Sequence, residues 1–157
     1  MNWEDNCYLL SKRKFRENAN IINIFTETKG RINGIVYGGN SRKIRNYLQI
    51  SNKLFISHSS KNDNKIGYFK VEILKAYTPE HFDNKKKLMC ISSAMNLIKL
   101  LTVESQENLK IFQLIENFFI ILQFDDWLKK YIFWELDLLK LIGYDLQLQN
   151  IVDHEKI

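Results

Sequence analysis

Proline is almost absent. The 157 residues contain one, Pro79, so no proline-rich linker or polyproline recognition tract is present. Cysteine is equally sparse. Cys7 and Cys90 lie far apart and no C-x-x-C occurs, which excludes a disulfide framework and a cysteine zinc site. The three histidines, His58, His81 and His154, are isolated, show no metal-ligand spacing, and are expected at the surface. The longest uninterrupted apolar run is Phe118 to Leu122, far too short to cross a bilayer. The start Met1-Asn2-Trp3-Glu4-Asp5 lacks the basic-then-apolar pattern of a signal peptide. No P-loop, paired-carboxylate or triad signature appears. The expectation is a cytoplasmic, non-enzymatic protein with no cofactor, no metal and no membrane partner.

Aromatic residues are plentiful. They make up 13% of a chain that is 45% hydrophobic and 26% charged, a globular composition. The net charge of +5 conceals an asymmetry. Residues 1–80 carry 14 Lys/Arg against 7 Asp/Glu, a balance of +7, whereas residues 81–157 carry 9 against 11, a balance of −2. A basic half suits a polyanion, whose phosphates it neutralises with release of counterions. The alternative is that the charge only keeps the chain soluble.

The first half reads as strands. Apolar runs occupy Cys7 to Ser11, Ile21 to Phe25, Ile32 to Tyr37 and Leu54 to His58. Tyr68 to Leu74 alternates, with Phe69, Val71 and Ile73 opposite Lys70 and Glu72. Turn residues separate the runs at Glu17-Asn18, Lys29-Gly30, Gly38-Gly39-Asn40-Ser41 and residues 59–65. Five short strands in such a length predict a small antiparallel barrel of the OB type. Past Tyr77-Thr78-Pro79-Glu80 the period becomes helical. Leu88, Ile91, Met95 and Ile98 form one stripe, and Ile111, Leu114 or Ile115, Phe118 and Leu122 another. A third helix spans Trp127 to Ile142 and stops at Gly143. Ser105-Gln106-Glu107 and Asp125-Asp126 are read as helix starts. The expected class is α+β, with an N-terminal OB-type antiparallel β-barrel over residues 1–78 and a small helical domain over 79–157.

The glycine pair Gly38-Gly39 is followed at once by Asn40-Ser41-Arg42-Lys43-Ile44-Arg45. Arg42, Lys43 and Arg45 are the first candidates for phosphate contact, with Arg31 and Lys29 one strand away. Lys12, Arg13, Lys14 and Arg16 form a second cluster, expected in the first turn. A solvated charged loop is the alternative for both. Tyr37 and Tyr68 are candidate stacking platforms for bases, while Phe69 belongs to the core by its period. On the third helix, Asp126, Lys129, Lys130, Asp137 and Lys140 share a face with Phe133 in its middle. Phe133 with Lys129 and Lys130 suits an acidic, aromatic peptide. The alternative packs Phe133 against the barrel or another helix. Glu135 flanks the apolar face of Trp127, Tyr131, Trp134, Leu138 and Ile142, and is read as a structural carboxylate. Cys7 is read as packed rather than nucleophilic.

Several stretches taken together resemble the bacterial RecO family. Tyr8-Leu9-Leu10-Ser11 followed by Phe15-Arg16-Glu17-Asn18-Ala19 is similar to that family's first strand and G-E-x-x turn. Ile24-Phe25-Thr26-Glu27-Thr28-Lys29-Gly30-Arg31 resembles its V-x-T-x-x-x-G-R. Gly38-Gly39-Asn40-Ser41-Arg42 and Leu48-Gln49-Ile50-Ser51-Asn52 resemble its G-G-x-S-R and L-Q-x-x-N. Trp134-Glu135-Leu136-Asp137-Leu138-Leu139 with Gly143-Tyr144 is similar to its F-E-L-x-L-L-x-x-x-G-[FY]. Their order extends over residues 3–148.

The resemblance implies a mediator of DNA repair and recombination in the RecF pathway. Such a protein binds single- and double-stranded DNA, anneals complementary strands and assists RecA loading with RecR. It also implies docking of the acidic C-terminal tail of the single-stranded-DNA-binding protein on the helical half, and a nucleoid-associated location. Two departures stand out. The four-cysteine zinc module that often follows in the family would begin just after Leu146-Gln147-Leu148, where this chain has Gln149-Asn150-Ile151-Val152. Tyr37 and Asn40 stand where the family tends to have basic residues, which implies a weaker DNA edge. Rival readings are an OB-type RNA-binding module and a protein–protein adaptor without nucleic-acid binding. A nucleic-acid hydrolase is a distant third.

Overall fold

The computed structural model describes residues 2–62 and 66–143. His154, Tyr144 and the Leu146-Gln147-Leu148 stretch lie outside the described residues. Five strands come first: β1 (Trp3–Phe15), β2 (Ala19–Thr26), β3 (Gly30–Tyr37), β4 (Lys53–Ser59) and β5 (Gly67–Lys75). They close into a barrel in the order β1-β2-β3-β5-β4, with β4 pairing back onto β1. The β3–β5 ladder is parallel and the others are antiparallel. A short helix, α1 (Arg42–Tyr47), joins β3 to β4. After a 3-10 turn at Thr78–His81 come α2 (Lys85–Leu101), α3 (Leu109–Ile121) and α4 (Trp127–Leu141). The architecture is the expected one, an OB-type barrel followed by helices.

Strand β1 is buried on both faces, which explains its unbroken apolar run. Cys7 and Leu9 point into the barrel with Ile22, Ile24, Val36, Leu54, Ile56 and Phe69. Tyr8 and Leu10 point the other way and, with Phe25 of β2, join the core of α2–α4. The predicted helical stripes supply most of that core: Ile91, Met95 and Ile98; Ile111, Leu114, Ile115, Phe118 and Leu122; Tyr131, Trp134 and Leu138. Burying a side chain such as Phe118 contributes about 2–3 kcal/mol. The indole of Trp134 donates to the Leu114 carbonyl at 2.8 Å, so its one polar atom is satisfied. Tyr8 and Tyr77 both stack on Phe119, at 5.7 and 3.9 Å. Lys53 of β4 pairs with Glu116 of α3 at 3.4 Å across the junction.

Four expectations need correction. The predicted first strand is too short: β1 runs on to Phe15 because its second half pairs with β2 through Arg13–Ile21 and Phe15–Ala19. Lys12, Arg13 and Lys14 are therefore strand residues, not turn residues. Helix α3 starts at Asn108, whose side-chain oxygen accepts the Ile111 amide at 3.2 Å. Ser105 instead bonds the Arg31 carbonyl of β3 at 2.7 Å. His81 is buried, not exposed; burial, and then the nearby Lys87, push its pKa below the ordinary histidine value. His58 is half-buried and stacks on Trp3 at 4.7 Å. Gly143 does end α4, at a φ of 96°, as expected of a C-terminal cap.

Closure of the barrel rests on two residue pairs, Gly34–Gly67 and Ile35–Tyr68. A Cβ on Gly34 would lie 2.0 Å from the Phe69 ring, and one on Gly67 would lie 2.0 Å from His58 Nε2. The two glycines let the backbones meet beneath two rings. Gly34→Val is therefore expected to cost about 3 kcal/mol through overpacking and splayed strands. Urea denaturation measures this, and an unchanged midpoint would show that Phe69 has room to move.

Candidate nucleic-acid interface

Six residues are too few for a helix to hold by itself, so α1 depends on its ends. Ser41 caps it, its hydroxyl accepting the Ile44 amide at 3.1 Å. At the other end the buried Asn52 side chain donates to the carbonyls of Asn46 and Tyr47, at 3.3 and 2.9 Å. Leu48 is sunk into the barrel core. Asn52 and Ser51 in turn exchange backbone bonds with Leu9 of β1 at 3.0 and 2.8 Å. Helix α1 buries none of its own residues. Arg42, Lys43 and Arg45 stand exposed on it. They were expected on a strand end or loop; the Ser41 cap is the signal that places them on a helix.

The first turn is fastened to this helix. The Asn18 side chain accepts the Asn40 amide at 2.9 Å, and its carbonyl accepts that of Gly38 at 3.0 Å. Arg16, in the same turn, is exposed. It lies close enough to Tyr37 to act electrostatically on that phenol. The β1 arm with Lys12, Arg13 and Lys14 leads into the turn. Two predicted clusters thus share one end of the barrel.

On the outer face of β1–β3, a cleft of about 300 Å³ is lined by Lys12, Arg13, Arg31 and Lys99, over Ile21, Asn23 and Asn33. Partial burial lowers the Lys12 pKa. Lys99 was not found by sequence reasoning, because it lies on α2 in the acidic half. Arg31 is half-buried, and its guanidinium donates to the Thr102 hydroxyl and carbonyl at 3.1 and 2.9 Å. It lines the cleft while tying β3 to the end of α2.

Lys29 does not join this group. It sits at the opposite end of the β2–β3 hairpin, seven ladder steps from the Ala19–Tyr37 pair, or about 20 Å. Its ammonium lies 5.2 Å from the Trp3 ring. Tyr37 and Tyr68 are both exposed, and their rings stack on each other at 5.4 Å. Phe69 is buried in the core, as its period required. The neighbouring Tyr68 hydroxyl, ahead of burial, raises the Tyr37 pKa.

On α4, Phe133 is 56% exposed and Lys129 is exposed. Lys130 is half-buried, 4.0 Å from Asp126 and 5.0 Å from the Phe124 ring. The face is less polar than its charges suggested. Phe124, Leu128 and Ile132 are exposed at four-residue spacing beside Phe133, so the lysines border an apolar stripe. Glu135 lies against Tyr131 and, after burial, is a cause of that phenol's raised pKa. Cys7 is fully buried and its thiol is pushed well above the ordinary range, mainly by burial. Among the described residues, no group of three or more His, Cys, Asp or Glu is placed to hold a metal ion. No helix among them is long and apolar enough to cross a membrane.

A closed five-stranded barrel, with cations gathered at one end and three helices behind it, defines an OB-type fold with a helical extension. Residues 1–77 match the model of the family "Recombination protein O N terminal", and residues 84–156 that of "Recombination protein O C terminal". The chain belongs to the RecO family. It is 31% identical over 152 residues to a protein named "DNA repair protein RecO" from Ehrlichia chaffeensis, covering 96% of this chain and 62% of that one. The protein of that name from Rickettsia africae is 33% identical over 148 residues, with 94% and 62% coverage. That from Hyphomonas neptunium is 30% identical over 160 residues, with 96% and 63% coverage. The chain therefore spans under two thirds of the length of these relatives.

Arg31 offers a test of tie against phosphate ligand. Arg31→Lys keeps the charge but loses the two-point bond to Thr102, and is expected to cost about 1–2 kcal/mol of stability. Thermal unfolding measures it. An unchanged Tm with weakened DNA binding would reassign Arg31 to the nucleic acid.

Proposed function

We propose that this chain is a non-enzymatic mediator of DNA repair and recombination, acting in the cytoplasm at the nucleoid. It binds single- and double-stranded DNA through the barrel, residues 1–78, promotes annealing, and with RecR assists the loading of RecA. The observation that carries this reading is the gathering of Arg42, Lys43, Arg45, Arg16 and the β1 arm at one end of an OB-type barrel, in a chain of the RecO family. Exposed cations on a rigid edge track a phosphate backbone without reading sequence. Annealing asks for no bond-making residue. Two backbones must be screened while the bases stay free to pair. Lys12, Arg13 and Arg31 extend the track along the outer face of β1–β3, and Lys29 lies beyond its far end.

The helical half, residues 79–157, takes the partner. Phe133 and the Phe124-Leu128-Ile132 stripe offer apolar surface, and Lys129 and Lys130 supply positive charge beside it. This suits the acidic C-terminal tail of the single-stranded-DNA-binding protein.

Reversal of Arg42, Lys43 and Arg45 to glutamate is expected to weaken single-strand binding and to flatten its log–log salt dependence by about 2 units. Anisotropy titrations across a salt series, paired with an annealing assay, measure both. An unaffected triple variant would remove the central reading, and equal or tighter binding of RNA in competition would favour an RNA module. Separately, Lys129→Glu with Lys130→Glu is expected to weaken tail-peptide binding at least tenfold, as does Phe133→Ala. Unchanged affinity would take the dock away from α4.

A further inference from the structure

The ladder between β3 and β5 ends at Ile35–Tyr68. Beyond it β3 continues to Tyr37, while β5 continues against β4 alone. The divergence leaves a cleft of about 890 Å³, with Val36, Phe69, Val71 and Ile44 of α1 among its apolar walls and Tyr37 and Tyr68 among its lining. The volume lies within the range of small-molecule sites. Lys61 and Lys70 also line it and, among the described residues, no carboxylate does. Arg16 follows Phe15, whose partner Ala19 pairs in turn with Tyr37.

We propose that this cleft receives an unpaired base of single-stranded DNA on the Tyr37–Tyr68 pair, with Arg16, Lys61 and Lys70 meeting the flanking phosphates. The inference rests on the DNA-binding reading above and sharpens it to single strands. Three features select this occupant. The walls are apolar and aromatic, which suits the face of a base. The charged lining among the described residues is Lys61 and Lys70, which suits a polyanion. The tyrosine rings are already stacked, so a base adds to a preorganised platform. A paired base is stacked on its neighbours and turned toward its complement, so a duplex presents no base to the cleft. The cations of α1 serve both forms of DNA, and the tyrosine cleft serves one.

The test compares wild type, Tyr37→Ala, Tyr68→Ala and Tyr37→Phe in anisotropy titrations at fixed salt. The probes are an oligo-dT strand, an equal-length strand with abasic sugars, and a matched duplex. Circular dichroism checks the fold of each variant. Wild type should bind oligo-dT about tenfold tighter than the abasic strand. Either alanine variant should erase that difference and leave duplex binding within twofold, while Tyr37→Phe retains it. Equal losses on all three probes, or none, would overturn the base cleft and leave the DNA reading standing. Failure of wild type to bind any probe would overturn both.

Discussion

The barrel is closed by two facing glycines, and most of what this molecule offers follows from that contact. Gly34 and Gly67 meet because neither carries a Cβ to strike the Phe69 or His58 ring. The rings that require the glycines are themselves anchored: Phe69 in the barrel core, His58 against Trp3. A parallel ladder two pairs long is a weak seam. It is enough to define an inside, and its shortness lets β3 and β5 part around the tyrosine cleft. Longer pairing would fill the cleft with backbone.

The second constraint is that β1 has no solvent face over its central residues. Its side chains alternate between the barrel core and the helical core. A one-residue slip would exchange Tyr8 with Leu9 and spoil both cores together. The two halves are thus registered through one strand. Arg31–Thr102 and Lys53–Glu116 add polar ties at other points. The Lys53–Glu116 pair is partly exposed, so it contributes direction more than stability.

Legibility in the sequence followed the length and periodicity of each element. The alternation of β5 and the stripes of α2, α3 and α4 repeat often enough to be read directly, and they form the cores seen. Helix α1 escaped because six residues without a buried side chain have no hydrophobic period; only its Ser41 cap was there to read. The β1 arm escaped because Lys12-Arg13-Lys14 has no apolar face, and pairing with β2 alone makes it a strand. Residue type identified the cations, but not their neighbours. Nothing in Lys29-Gly30-Arg31 says that Lys29 lies at the far end of a hairpin, or that Arg31 is bonded to a residue 71 positions on. Tyr37 and Tyr68 were each readable as stacking candidates. Their contact was not, since it depends on the parallel register of β3 against β5.

On the proposed reading, strand annealing asks for mobile contacts and base capture for rigid ones, and the barrel end separates them. The cations stand on α1 and the β1 arm, exposed and free of deep packing. Long flexible side chains follow a backbone in either single- or double-stranded form, and salt screens their pull. The tyrosines stand at the root of the β3–β5 seam, where the backbone is held by the barrel itself. A stacked ring has little freedom left to lose on binding. Both elements are fixed to the same core, α1 through Leu48 and Asn52 and the tyrosines through Val36 and Phe69. Loosening the glycine seam would therefore disturb the tyrosine cleft before it disturbed the cations, because a cation needs only a surface and a cleft needs fixed walls.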